Sequence, residues 1–155
     1  MKHEINLIIN GESRHLAVQS QQTLLEVLRE TFGLTSAKHA CETGECGACS
    51  VLLNGEVVNA CMVLAPEVDK ADLVTAEGLA DDDTLHPLQK AFIDHHGVQC
   101  GYCSSGMLIS AKALLNRTSR PHDEEIREAL VGNLCRCGAY TDIIKSIQVA
   151  SRARR

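Results

Sequence analysis

The sequence contains few aromatic side chains: its 155 residues include two Tyr, two Phe and no Trp. Hydrophobic cores must therefore be built from Leu, Ile, Val and Ala. In a chain of this length such cores bury limited area. Small folds of this kind often depend on an additional covalent or metal-based stabilising element, so each half of the chain would benefit from one.

The chain also lacks a basic stripe and a long apolar run. Its net charge is −5, which argues against nucleic acid as a partner. The one basic run is Arg152, Arg154 and Arg155, which we interpret as a solvated chain end. No window approaches the roughly 18 apolar residues of a membrane span, and no secretory signal follows Met1. We therefore expect a cytoplasmic protein without a membrane span.

Eight cysteines are the most unusual feature of the composition. Disulfides are not expected in the cytoplasm, because that compartment keeps thiols reduced. Metal binding or redox chemistry is then the leading interpretation of so many cysteines.

The first half of the sequence predicts a small sheet around one helix. Two pairs of strand-like segments each flank an Asn-Gly turn, the sequence signal of a β-hairpin. Thr23 and Glu26 form a capping-box pattern that begins a helix, and Gly33 can end it in a left-handed turn. The pattern is that of a β-grasp sheet, with strands predicted at residues 3–9, 13–18, 50–53, 56–60 and 73–76.

The second half predicts four short helices, which suggest a compact bundle. We interpret the acidic segment 77–84 as a linker, and Asp123 and Asp142 as the N-terminal caps of the last two helices. We therefore predict an α+β chain with a ferredoxin-like domain at 1–77 and a helical domain at 78–155. The helices are predicted at residues 87–97, 107–116, 123–131 and from 142 onwards.

The first cysteine set has the spacing C-x4-C-x2-C with a fourth cysteine further on, which is the plant-type spacing for a 2Fe–2S cluster. Gly44 and Gly47 can supply the unusual backbone angles that a loop wrapped around a cluster needs. Structural zinc favours paired C-x2-C motifs instead, so zinc is the weaker alternative. The predicted ligands of this first cluster are Cys41, Cys46, Cys49 and Cys61.

The second cysteine set consists of a C-x2-C and a later C-x-C, each in a predicted turn or at a helix start. Helix N-terminal amides there can stabilise an anionic thiolate cluster. Spacing alone leaves both iron–sulfur and zinc open for this set, and the first cluster favours iron–sulfur. The candidate ligands are Cys100, Cys103, Cys135 and Cys137.

Three histidines lie near these cysteines. His95 and His96 suggest a Rieske centre, in which two His replace two Cys on one iron. All four ligand positions are already filled by cysteine, so we do not assign them as ligands. We interpret His39, close to Cys41, as a solvated loop residue.

Four motifs follow one another along the chain: CETGECGAC at 41–49, HPLQ at 86–89, GVQCGYC at 97–103 and GNLCRC at 132–137. In this order they resemble the small iron–sulfur subunit of the molybdenum hydroxylases, the family of xanthine dehydrogenase, aldehyde oxidoreductase and aerobic carbon monoxide dehydrogenase. The resemblance covers nearly the whole chain. Two departures, Ser104-Ser105 and Gly138-Ala139, stand where the family commonly has Thr-Pro and Thr-Gly.

This resemblance implies an N-terminal ferredoxin-like domain, a C-terminal four-helix domain and a place in a heterotrimer, which would assemble as a dimer of heterotrimers. The second cluster would lie near the molybdopterin of a large subunit, and the first nearer the FAD of a medium subunit. Gln99 would hydrogen-bond the pterin, and Cys137 would lie next to it. Electrons would enter at the second cysteine set and leave from the first.

Two other classes of protein remain as alternatives. One is a free-standing two-cluster ferredoxin that docks transiently with its partners. The other is an interaction module stabilised by zinc.

Elemental analysis of the purified protein separates the iron–sulfur interpretation from the zinc one. Two 2Fe–2S clusters predict about four irons and no zinc per chain. A colourless protein replete with zinc would contradict this prediction.

Overall fold

The computed structural model describes residues 1–153, so Arg154 and Arg155 of the basic chain end lie outside the described residues. The first half contains five strands and one short helix, and the second half contains four helices. The strands are β1 (Lys2–Ile9), β2 (Glu12–Gln19), β3 (Ser50–Leu53), β4 (Glu56–Asn59) and β5 (Asp72–Val74). The helices are α1 (Leu24–Glu26), α2 (Pro87–Asp94), α3 (Ser104–Arg117), α4 (Asp123–Ala129) and α5 (Tyr140–Ala153).

The five strands form one mixed sheet in the order β2-β1-β5-β3-β4. β1 pairs antiparallel with β2 and parallel with β5, and β3 pairs antiparallel with both β4 and β5. Both predicted hairpins are confirmed. Asn10-Gly11 and Asn54-Gly55 have positive φ at both residues, the backbone that two-residue hairpin turns require.

The predicted capping box begins α1 as expected. The Thr23 hydroxyl accepts a hydrogen bond from the Glu26 amide at 3.2 Å, and the Glu26 carboxylate accepts one from the Thr23 amide at 2.7 Å. After one turn the helix continues as a π-helical segment, Val27–Thr31. Gly33 follows with φ of 66°, in the left-handed region predicted for it.

Helix α2 ends at Asp94, before the predicted end at Gly97. His96 adopts the left-handed conformation with φ of 60°, and the Gly97 amide donates to the Phe92 carbonyl at 2.9 Å. This bond closes a Schellman motif. The helix therefore ends earlier because His96, rather than the glycine, reverses the chain.

The cap predictions for the last two helices are wrong. Asp123 is the first residue of α4, and His122 precedes it as the cap residue with its amide donating to the Glu125 carboxylate at 2.7 Å. Asp142 lies inside the first turn of α5, which begins at Tyr140. Both carboxylates lie in first turns, where the helix dipole favours negative charge, and this preference produces the same sequence signal as a cap.

Two main groups of buried apolar residues form the interior. The first joins the sheet to α1 and its π-helical continuation, and the second joins α2, α3, α4 and α5. A small third group, Leu52, Ile109 and Ala113, packs strand β3 against helix α3. The sheet and the helices are therefore in direct apolar contact.

The start of the predicted linker is packed rather than free. The Glu77 carboxylate accepts hydrogen bonds from the amide and hydroxyl of Ser36, the amide at 2.8 Å. Burial raises the pKa of Glu77, but the hydrogen bonds from Ser36 and Thr75 outweigh it and leave the pKa below its usual value. The Ser105 hydroxyl of α3 donates to the Ser36 carbonyl at 2.6 Å. Ser36 therefore ties the first half to both the linker and α3.

Within residues 1–153, no helix combines the length and the apolar character needed to cross a membrane.

Candidate metal centres

The first cysteine set lies mainly on the loop that precedes β3. Glu42, Gly44 and Gly47 on this loop all have positive φ. Three such residues within six positions curl the backbone tightly, as a loop must do to point several sulfurs inward. Cys61 belongs to a 3₁₀ turn, Ala60–Met62, immediately after β4, so the fourth cysteine comes from the end of a neighbouring strand, as the sequence predicted.

The loop provides backbone amides to its cysteine sulfurs. The Cys46 amide donates to Cys41 Sγ at 3.4 Å, and the Ala48 amide donates to Cys46 Sγ at 3.5 Å. Hydrogen bonds from the backbone amides of Thr43 and then Cys46 lower the pKa of Cys41 to about 6. Amide donors of this kind stabilise thiolates and the sulfurs of a bound cluster.

The remaining cysteines of the set lie against one another. Burial, together with the smaller effect of the neighbouring thiols of Cys61 and Cys46, raises the pKa of Cys49 to about 12. Cys49 is 2% exposed. Since adjacent thiolates repel, the folded protein brings together sulfur ligands that an electropositive iron centre would neutralise.

The second cysteine set is supplied by two loops of the helical half. Cys100 and Cys103 lie between α2 and α3, with Cys103 directly before the first residue of α3. Cys135 and Cys137 lie between α4 and α5. The Cys135 amide donates to the Tyr140 hydroxyl at 2.8 Å, which ties this loop to the start of α5.

Thiols of this second set affect one another's pKa values. Burial, together with the smaller effect of the thiols of Cys135 and Cys100, raises the pKa of Cys103 to about 12. The Tyr102 amide and the Cys137 thiol lower the pKa of Cys100. Burial raises the pKa of Cys135, but hydrogen bonding to the Ala139 backbone and the Cys103 thiol outweighs it. All eight cysteines are free thiols.

The second set differs from the first in its exposure. Cys100 and Cys137 are exposed, while Cys135 is buried. Gln99, the candidate pterin contact, is exposed beside Cys100, and within residues 1–153 its side chain makes no hydrogen bond. The second set therefore opens directly onto the surface of this chain.

One backbone hydrogen bond joins the two cysteine sets. The amide of Leu134, next to Cys135, donates to the carbonyl of Cys46 at 2.9 Å. A cavity of about 420 Å³ between the sets is lined by residues that include Cys46, Cys100, Cys103 and Cys135. The two candidate centres are therefore close neighbours inside one folded unit.

Among residues 1–153, no three or more His, Cys, Asp or Glu side chains are arranged as a site for a metal ion. A 2Fe–2S cluster distributes four cysteines over two irons. The donor chemistry, thiols accompanied by backbone amides, fits such a cluster. His39 binds the exposed carboxylate of Glu42 at 2.8 Å, in agreement with its interpretation as a loop residue.

Comparison with known protein families assigns each half of the chain. The model of a 2Fe-2S iron-sulfur cluster binding domain matches residues 7–80, and that of a 2Fe-2S binding domain matches residues 75–148. The nicotinate dehydrogenase small FeS subunit of Eubacterium barkeri is 47% identical over 96% of this chain and 95% of its own length. The chain belongs to the small 2Fe–2S subunits of the molybdenum hydroxylases.

Further members of this family agree with the assignment. The nicotine 6-hydroxylase small subunit of Paenarthrobacter nicotinovorans is 44% identical, and the match covers 93% of this chain and 87% of the relative. The crystal structure of quinoline 2-oxidoreductase from Pseudomonas putida 86 contains a chain with a TM-score of 0.94 and 38% identity, covering 98% of this chain and 95% of that one. This iron–sulfur subunit is therefore an oxidoreductase component with two 2Fe–2S binding domains.

Sequence reasoning did not identify the residues that hold the two cysteine loops together. Asn133 is buried and bonds to both Ser110 and Gly47, and the Tyr102 hydroxyl donates to the His39 carbonyl. In the sequence, the one indication of this role is the amide side chain of Asn133, two positions before Cys135.

Paired cysteine variants test the division of the ligands into two sets. We expect Cys61→Ala to lower the iron content from about four to about two per chain and to abolish one 2Fe–2S signal in electron paramagnetic resonance (EPR) spectra of the reduced protein. Cys103→Ala should abolish the other signal. Each variant is the control for its counterpart, and loss of the same signal in both would contradict the assignment.

Proposed function

We propose that this chain is the electron-transfer component of a heterotrimeric molybdenum hydroxylase, relaying electrons from a large subunit that carries molybdopterin to a medium subunit that carries FAD. The proposal rests on the proximity of the two four-cysteine sets, which are joined by the hydrogen bond from the Leu134 amide to the Cys46 carbonyl. Family membership supports an electron-transfer role. A chain with two adjacent centres suits the transfer of electrons through it, one at a time.

The eight cysteines are the proposed ligands. The first 2Fe–2S cluster would be held by Cys41, Cys46, Cys49 and Cys61, and the second by Cys100, Cys103, Cys135 and Cys137. Cysteine thiolate is the usual ligand of such clusters, and the contacts among the thiols within each set support this division.

The exposed side of the second set is proposed to receive electrons from the large subunit. Exposed Cys137 and Gln99 would contact the molybdopterin, with the Gln99 amide able both to donate and to accept hydrogen bonds. The pterin, when bound, supplies electrons taken from the substrate at molybdenum. The exposed side chains of Tyr102 and Leu134 line the same cavity as Cys100, and exposed apolar surface of this kind suits a permanent partner.

The first set is proposed to pass electrons towards the FAD of the medium subunit. Met62 follows Cys61 and is 60% exposed, and Leu64 nearby is 40% exposed. Met62 also covers Gly44 of the cysteine loop, since a Cβ on that glycine would lie 3.1 Å from the Met62 Cγ. An apolar surface at this cluster would allow close approach of the flavin subunit.

The same proposal includes the arrangement of the chain and its surroundings. We assign a ferredoxin-like β-grasp domain to residues 1–77 and a four-helix domain to residues 78–155, close to the matches at 7–80 and 75–148. The full enzyme would be a dimer of heterotrimers. The cytoplasm is its proposed location, because the eight free thiols suit a reducing compartment.

Purification of the tagged full-length chain from its native host tests the proposal. We expect two larger polypeptides to co-elute in size-exclusion chromatography, together with molybdenum, flavin and iron. A lone monomer with iron but without molybdenum or flavin would contradict this role in a larger enzyme and support a free-standing two-cluster ferredoxin.

A further inference from the structure

Asn133 is a buried polar residue between the two candidate cluster sites. It lies on the loop between α4 and α5, two positions before Cys135, and is 4% exposed. A buried amide is costly unless its polar atoms are hydrogen-bonded. Its partners therefore show what holds it in place.

The Asn133 amide connects elements from both halves of the chain. Its Oδ1 accepts from the Ser110 hydroxyl of α3 at 2.6 Å, and its Nδ2 donates to the Gly47 carbonyl at 3.2 Å. Gly47 directly follows Cys46 on the first cysteine loop. One side chain thus joins helix α3, the second cysteine loop and the first cysteine loop.

The Gly47 carbonyl also accepts hydrogen bonds from Ser50, which lies three positions further along the chain. The amide and hydroxyl of Ser50 donate to it at 3.1 and 2.8 Å. Three donors therefore converge on a single oxygen between the cysteine loop and strand β3. Asn133 supplies the donor among these three that comes from the second cysteine loop.

The backbones around Asn133 approach one another very closely. A Cβ on Gly47 would lie 2.3 Å from the Gly132 carbonyl oxygen, and a Cβ on Gly106 would lie 2.1 Å from the Gly47 carbonyl oxygen. Such distances are far shorter than any van der Waals contact, so α3 and the two cysteine loops meet at their closest possible approach. The amide of Asn133 fixes the orientation of this contact.

We propose that Asn133 is a positioning residue for electron transfer between the clusters. It holds the first and second cysteine loops at one fixed separation and orientation. In each transfer the second cluster is oxidised and the first reduced by one electron, and no bond forms or breaks. This inference rests on the proposed function, because it requires a cluster in both cysteine sets.

The variant Asn133→Asp tests the hydrogen bond that Asn133 Nδ2 donates to the Gly47 carbonyl. In its ionised form the new side chain keeps the size of Asn133 and the acceptor for Ser110, but the oxygen that it places against the Gly47 carbonyl cannot donate a hydrogen bond. Ser110→Ala is a milder second variant that removes the hydroxyl holding Oδ1. Asn116→Asp, an exposed residue of the same helix α3, introduces the same charge away from the contact and is the matched control.

The readout is the magnetic interaction between the two reduced clusters in EPR spectra of the full-length chain, purified with any partners that accompany it. Iron content and thermal unfolding are measured in parallel. We expect both cluster signals to persist in Asn133→Asp with their mutual splitting lost or clearly changed, and electron equilibration between the clusters slowed several-fold. Ser110→Ala should show a smaller change, and Asn116→Asp should match the wild type.

Wild-type splitting in Asn133→Asp would overturn the inference, even if the variant unfolds at a lower temperature, because a purely structural residue would affect stability alone. If Asn133→Asp fails to assemble, the splitting is measured in Ser110→Ala, and wild-type splitting there would overturn the inference. Failure of the proposed function has a different signature. The wild-type protein would then lack one of the cluster signals, or it would purify without molybdenum and flavin.

Discussion

The structure depends on the close backbone approach between the first cysteine loop and helix α3, at Gly47 and Gly106. Neither position has space for a Cβ, so this contact is set by glycine at both sides. The second cysteine loop completes it through Leu134 and Asn133. Because the three segments meet there, two candidate centres built by different halves of the sequence become neighbours.

This constraint explains why the two halves pack as one unit. The sheet and the helices each have their own buried apolar group, and with few aromatic residues neither group is large. The smaller group between β3 and α3 supplies apolar contact across the junction, while Ser36 supplies polar contacts to Glu77 and Ser105. The packing therefore orients the loops, and bound clusters would add stability by linking cysteines from separate segments.

Much of the fold could be predicted from the sequence, because its signals are local. The Asn-Gly hairpins and the Thr23 capping box depend on a few adjacent residues, and each occurs as predicted. The exact starts of helices α4 and α5 were less predictable, since Asp123 and Asp142 suit the first helical turn as well as the cap position. Helix α2 was predicted to extend to Gly97, but it ends at Asp94 because His96 adopts the left-handed conformation. The hydrogen bonds of Asn133 could not be predicted, because its partner Gly47 is 86 positions away in sequence and no local pattern links the two.

The central claim is that this chain holds two separate 2Fe–2S clusters on either side of the contact between Leu134 and Cys46. Diffraction from crystals of the purified protein at the iron absorption edge tests it most directly. We expect two pairs of iron peaks, one within each set of four cysteines. A single pair of iron peaks, or a zinc peak in either set, would contradict it.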